Sequence, residues 1–144
     1  MSYKGFFRPK NPEKYIGDVN NIIWRSLWER KFLNYCDLNQ NILEYSSEEI
    51  SIPYLDPSTN RIKRYFPDVY MKVKDVDGNI KKYLIEIKPK RQTVPPAPRK
   101  KTKSYITEVY TYQKNKAKWK AAEEFCKDNG WEFKLITEKE LYGK

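Results

Sequence analysis

The hydrophobic positions of this chain change period several times, and each change marks an element. Leu27, Trp28, Phe32, Tyr35 and Cys36 recur at three- and four-residue spacing, the repeat of one face of an α-helix. Ser26 stands before them as an N-cap and Glu29, three residues on, would complete a capping box. The predicted helix covers about 26–38. Short β-type runs follow at 42–46 and 49–55, and Asp56-Pro57-Ser58-Thr59-Asn60 is a turn signal. Two longer strands are predicted at 62–74 and 80–89, joined through Asp75-Val76-Asp77-Gly78-Asn79, an Asp-Gly hairpin cue in which Asp75 and Asp77 read as turn formers. Ile106, Val109, Tyr110, Ala117, Ala121 and Phe125 give a long helix over about 105–128, stopped by Asn129-Gly130. Residues 131–136 alternate as a strand, and Thr137 with Glu140 can cap a last short helix.

The order α-β-β-β-β-α-β-α predicts an α/β fold, a mixed central sheet flanked by helices. Residues 23–144 form a single domain in this reading. Ahead of it, 1–22 carry Gly5, Pro9, Pro12 and Gly17 with little periodicity, the pattern of an irregular basic arm that wraps the domain or reaches a partner. Residues 89–104 hold Pro89, Pro95, Pro96 and Pro98 and read as a mobile loop.

Composition narrows the chemistry. The chain has 144 residues and a net charge of +10, long enough for one real core without staples. No stretch approaches the roughly 20 apolar residues of a membrane span, and the N-terminus lacks a signal-peptide pattern, so a soluble, unexported protein is expected. Cys36 and Cys126 form no C-x-x-C pair and read as two buried thiols. Histidine is absent, which removes Ser-His-Asp and Cys-His nucleophiles, His-ligated zinc, H-x-E deaminases and His-dependent nucleases. An enzyme built on this chain works with carboxylates, lysines, arginines and tyrosines, which at neutral pH calls for a perturbed pKa or a bound metal ion.

The hairpin holds the candidate chemistry. Glu86 and Lys88, two apart on one strand, share a face, while Tyr83, Ile85 and Ile87 line the other. The position of Asp68 depends on the turn. A two-residue loop at Asp77-Gly78 sets Asp68 opposite Ile87, on the wrong face. A three-residue loop, Val76-Asp77-Gly78, sets it across from Glu86, about 5 Å away. Two carboxylates that close repel unless a cation lies between them. Asp68, Glu86 and the Ile87 backbone carbonyl offer the few oxygens Mg²⁺ accepts while keeping its waters, and Lys88 stands ready to position or polarise a metal-bound water against a phosphodiester. An ordinary solvated strand face is the plain alternative for these three side chains.

Three segments, Arg25-Ser26-Leu27-Trp28-Glu29-Arg30, Arg64-Tyr65-Phe66-Pro67-Asp68 and Tyr83-Leu84-Ile85-Glu86-Ile87-Lys88-Pro89, together resemble the PD-(D/E)XK nuclease superfamily. Within it the chain is similar to the transposase endonuclease subunits, and closer still to the head-completion nucleases of T-even-like phages, over nearly its whole length. The resemblance implies a restriction-endonuclease-like core and a Mg²⁺-dependent endonuclease, Mn²⁺ being a possible substitute. Asp68 and Glu86 match its metal-binding acids and Lys88 its catalytic lysine. Glu29 matches the additional acid on the first helix that completes the metal shell in many members, and Gln113 falls where some place a phosphate-orienting Gln. It also implies action in head completion after DNA packaging, with double-stranded DNA and portal or neck proteins as partners, in the host cytoplasm during assembly or in the virion.

Lys90, Arg91, Arg99, Lys100, Lys101 and Lys103 follow the catalytic strand with no acid between them, a run suited to a sequence-independent, salt-sensitive grip on DNA. With Lys4, Arg8, Lys10 and Lys14 of the arm it would clamp a duplex from two sides. The rival class is a structural head-completion or neck protein that binds DNA or portal without essential cleavage.

Overall fold

Strand alternation divides the molecule into layers. The computed structural model describes residues 4–143; residues 1–3 of the predicted arm and Lys144 at the end of the predicted domain lie outside them. The elements are β1 (Gly5–Phe6), β2 (Ile23–Trp24), α1 (Leu27–Leu38), β3 (Ile42–Ser47), β4 (Ile52–Asp56), β5 (Arg61–Tyr65), β6 (Val69–Lys74), β7 (Ile80–Ile87), α2 (Lys103–Asn129), β8 (Glu132–Ile136) and α3 (Glu138–Tyr142). The central sheet runs β3-β6-β7-β8. Its first three strands are antiparallel, and β8 lies parallel to β7, with α2 as the crossover that a parallel pair requires. Val69, Ile85 and Ile87 point to one side, where they meet Phe32, Leu33 and Cys36 of α1. Tyr70 and Leu84 point to the other and meet Trp119, Ala122 and Cys126 of α2. Both cysteines are buried and free.

The single strand expected at 62–74 is two strands in two sheets. Pro67 has no amide to donate to a ladder, and the chain breaks over Phe66-Pro67-Asp68. Before the break β5 pairs with β4 in a separate hairpin, and after it β6 joins the central sheet. The hairpin places Ile52, Tyr54 and Tyr65 against α2. Its Asp56, fully buried, is ion-paired to Lys63 at 2.8 Å and lies 3.6 Å from Lys114 of α2. These cations and the Ser58 hydroxyl and amide hold the Asp56 carboxyl well below the usual range.

Residues 4–22 contribute to the core. Phe7, Tyr15 and Ile22 are buried in the α1-side cluster, β1 pairs with β2, and the Ile16 amide donates to the Tyr45 carbonyl at 2.8 Å. Lys14, expected to face DNA, is committed elsewhere. Its ammonium donates to the carbonyls of Cys36, Asp37 and Asn39 at 2.6, 2.9 and 2.9 Å, closing the C-terminus of α1 with the positive charge that end of a helix favours. Asp37 in turn accepts from the amides of Lys10 and Asn11 and from the Tyr45 hydroxyl.

Two smaller differences concern the segment after β7. Lys90–Thr93 form a turn of 3₁₀-helix, and α2 begins at Lys103 with Thr102 as its cap, so Lys103 belongs to the helix. At the end of the chain, Thr137 and Glu140 form the expected capping box of α3. Removing the ammonium by Lys14→Met leaves three helix-end carbonyls without their donor and should lower unfolding stability by about 2 kcal/mol. Urea titration followed by circular dichroism measures it.

Candidate active site

The site begins with the register of one hairpin. Lys74 pairs with Ile80 and Val69 with Ile85, so Asp75 stands opposite Asn79 and the loop between them has three residues. Gly78 adopts φ +82°, a conformation that disfavours a side chain. The Asp75 Oδ1 atom accepts from the amides of Asp77 and Asn79 at 3.0 and 2.9 Å. Of the two turns considered from sequence, this is the one that brings Asp68, one residue past the ladder, level with Glu86.

A cleft of about 610 Å³ opens at the end of β7, lined by Glu29, Asp68, Ile87 and Lys88 together with Arg25, Arg91 and Gln92. The Asp68 Oδ2 atom accepts from the Ile87 amide at 2.7 Å. Glu86 lies behind the cleft wall at 6 % exposure. Its Oε1 atom accepts from the Tyr65 hydroxyl at 2.7 Å, and its Oε2 atom is 3.7 Å from the Lys88 ammonium. Glu29 departs from the capping box expected of it. Its amide donates to Ser26 Oγ at 3.1 Å, but its carboxylate accepts from the Arg25 amide at 3.3 Å and lines the cleft. Among the described residues no three acidic or Cys side chains stand close enough together to form a ready-made metal cluster. The oxygens on offer come from Asp68, Glu86 and the strand backbone, with Glu29 across the cleft.

Burial and mutual repulsion unsettle these acids. The Asp68 carboxyl is raised well above its ordinary range, first by burial and then by the charges of Glu86 and Glu29; the Ile87 amide and Lys88 oppose the rise without cancelling it. Burial also raises Glu86, against the pull of the Tyr65 hydroxyl, Lys88, Lys118 and the Asp68 amide. Glu29 is raised by burial, with Glu48 and Glu86 adding to it. Such a set gains from a divalent cation. The oxygens left over by the Ile87 amide and the Tyr65 hydroxyl, Asp68 Oδ1 and Glu86 Oε2, are hard donors of the kind magnesium takes, so the donor set fits the ion.

Several participants lie outside the sequence expectations. Tyr65 belongs to the long strand expected at 62–74, yet the break at Pro67 turns its hydroxyl onto Glu86. Lys118 of α2 holds its ammonium 5.7 Å from the Tyr65 ring centre, and burial lowers its pKa. Gln113 is exposed, and α2 presents Lys118 to Glu86 in its place. Arg25 at the cleft mouth is ion-paired to Glu48 at 3.3 Å. Glu48 itself sits at φ +53°, and its amide donates to the Asp68 carbonyl. Of the six cations expected to grip DNA after β7, Arg91 lines this cleft. The Lys90 amide is fastened to Glu138 of α3 at 2.8 Å. Arg99 folds back on α2, 3.6 Å from Glu108 and 5.1 Å from the Tyr105 ring. Lys100, Lys101 and Lys103 are exposed.

Residues 39–138 match the model of the family described as TnsA-like endonuclease N terminal, a span that includes Asp68, Glu86 and Lys88 and excludes Glu29. The chain is 39 % identical over 143 residues to the head completion nuclease of Enterobacteria phage T4, covering 96 % of this chain and 93 % of that protein. No solved structure matches at a significant level. This chain belongs to the TnsA-like endonuclease family and is a homologue of the head completion nuclease.

Proposed function

We propose that this protein is a divalent-metal-dependent endonuclease that hydrolyses phosphodiester bonds of double-stranded DNA during phage head completion. The observation that carries this reading is the hairpin register, which sets Asp68 level with Glu86 and leaves both carboxyls raised beside a lysine. Magnesium or manganese, when bound, supplies the charge that neutralises these acids and acidifies water for attack on phosphorus. Asp68, Glu86 and the Ile87 carbonyl would hold it, with Glu29 contributing from α1. Tyr65 keeps Glu86 oriented by taking one oxygen and leaving the other. Lys88, with its side chain 28 % exposed, donates to a non-bridging oxygen of the scissile phosphate and stabilises the charge that builds there. Arg25 and Arg91 at the cleft rim place the flanking phosphates.

Plasmid nicking is expected only with Mg²⁺ or Mn²⁺ present. Asp68→Ala and Lys88→Ala should each lower the rate at least about 100-fold. Cleavage unchanged by both substitutions would refute the assignment. DNA binding by the wild type without any cleavage would favour the structural head-completion role.

Stability should run against activity. A folded-state carboxyl raised above its unfolded value contributes stability that is complete below the unfolded pKa and is lost as pH rises through the folded one. Ionised Asp68 is therefore a burden at neutral pH in the absence of metal. Asp68→Asn is expected to raise the Tm at pH 7 while abolishing cleavage, and the gain should shrink towards pH 4. Mg²⁺ should raise the Tm of the wild type and not that of Asp68→Asn. Differential scanning fluorimetry across pH, with and without the ion, reads all three.

A further inference from the structure

A second groove adjoins the cleft, and neither the candidate catalytic residues nor the basic loop after β7 accounts for it. It measures about 540 Å³ and lies between β1–β2 and the outer face of α1. Leu27, in the first turn of α1, lines both this groove and the cleft that holds Asp68 and Lys88. The two are therefore neighbours on one surface. Arg8, Arg30 and Lys31 contribute three cations to the groove, and no carboxylate lines it. All three side chains belong to exposed residues. Aromatic rings set the positions of two of them: the Arg30 guanidinium carbon is 5.6 Å from the Trp24 ring centre and the Lys31 ammonium 4.1 Å from that of Tyr142. Phe6, 63 % exposed, forms part of the wall.

Resting on the nuclease reading above, we infer that this groove is the track of the DNA strand beyond the cleavage point, with Arg8 and Arg30 gripping consecutive backbone phosphates. Three observations favour a nucleic acid strand as the occupant. The lining is purely cationic among its charges, which suits a polyanion. A guanidinium held over an indole keeps N–H groups free for a phosphate while its orientation is fixed beforehand. The groove also continues from the cleft where the scissile phosphate would sit, so a strand leaving Lys88 past Leu27 enters it directly. Arg91 of the acid-free run after β7 lines the cleft itself, so the cleft and the groove, joined at Leu27, together offer the strand one path.

Asp68→Asn protein, which does not cut, allows binding to be read separately from chemistry. Fluorescence anisotropy with a labelled duplex of about 30 base pairs, long enough to pass through both surfaces, is measured over a salt series. The parent is compared with the same protein carrying Arg8→Ala and Arg30→Ala. The double change should weaken binding at least about tenfold. It should also flatten the slope of log K against log salt by about 2, because two phosphates then keep their counterions. Unchanged affinity and slope in a variant with wild-type circular dichroism would overturn the inference while leaving the nuclease reading intact. Arg30→Gln alone, which removes the charge and keeps much of the length of the side chain, should produce about half of that slope change, so a folding defect in the double variant does not decide the matter. Binding of poly-glutamate that depends on Arg8 and Arg30, with no effect of either arginine on DNA binding, would overturn it too, assigning the surface to an acidic protein. A parent that binds no duplex at any salt concentration would sink the nuclease reading as well.

Discussion

The site depends on a hairpin register that admits no slip. Side chains alternate along a strand, so moving β7 by one residue against β6 would set Asp68 opposite Ile87 and strand the Glu86 carboxylate without its partner acid. Two independent features hold the register. The turn is closed by Asp75 Oδ1 on two amides and by a glycine at φ +82°, which suits a three-residue loop. The strands themselves match: Val69 and Ile85 are opposite each other and both pack towards α1, and Tyr70 and Leu84 are opposite each other and both pack towards α2. A shifted register would send apolar side chains to the wrong layer throughout, so the core enforces what the turn begins.

The break at Phe66-Pro67-Asp68 is the second constraint. Tyr65 and Asp68 are three residues apart, but the chain places one in the β4–β5 hairpin and the other at the end of the central sheet. Had 62–74 run straight, both would have stayed in one ladder and only Asp68 could have reached β7. The interruption lets a hydroxyl approach Glu86 while a carboxylate stands level with it along the neighbouring strand. The hairpin is in turn anchored on α2 by Asp56, Lys63 and Lys114. The orientation of the Glu86 carboxylate thus rests on an ion pair in a different sheet.

Local signals carried much of this fold. The α1 repeat with its Ser26 cap, the Asp-Gly turn, the capping box of α3 and the strand after Gly130 depend on neighbours within a few residues, and the chain states them directly. What could not be read is decided by distant partners. The arm had too little periodicity to reveal that Phe7, Tyr15 and Ile22 enter the core, because each is buried by residues far along the chain. Lys14 was indistinguishable from a solvated lysine until the end of α1 came to meet it. Of the candidate site, the juxtaposition of Asp68, Glu86 and Lys88 was legible because the hairpin that joins them is local; the turn alone left two registers, and packing chose between them. Lys118 and Tyr65 were not legible, since their role depends on how α2 and the β4–β5 hairpin settle against the sheet.

The distribution of charge follows from the same geometry. A chain of net charge +10 has cations to spare, yet none is close enough to bring the Asp68 carboxyl back to its ordinary range. Arg25 is diverted to Glu48, Lys118 stands behind Tyr65, and Lys88 approaches Glu86 only to 3.7 Å. The choice of lysine at that position matters. A guanidinium in its place would take a carboxylate in a two-pronged bond and occupy both oxygens, quieting the repulsion and closing the site to any other cation. An ammonium acts as a point charge, here 3.7 Å from Glu86 Oε2 and beyond hydrogen-bond distance, and leaves that oxygen and Asp68 Oδ1 open. In the proposed reading, the raised state of Asp68 and Glu86, due first to burial, is what would keep the site receptive to a divalent ion, and the two buried layers on either side of the sheet offset its cost.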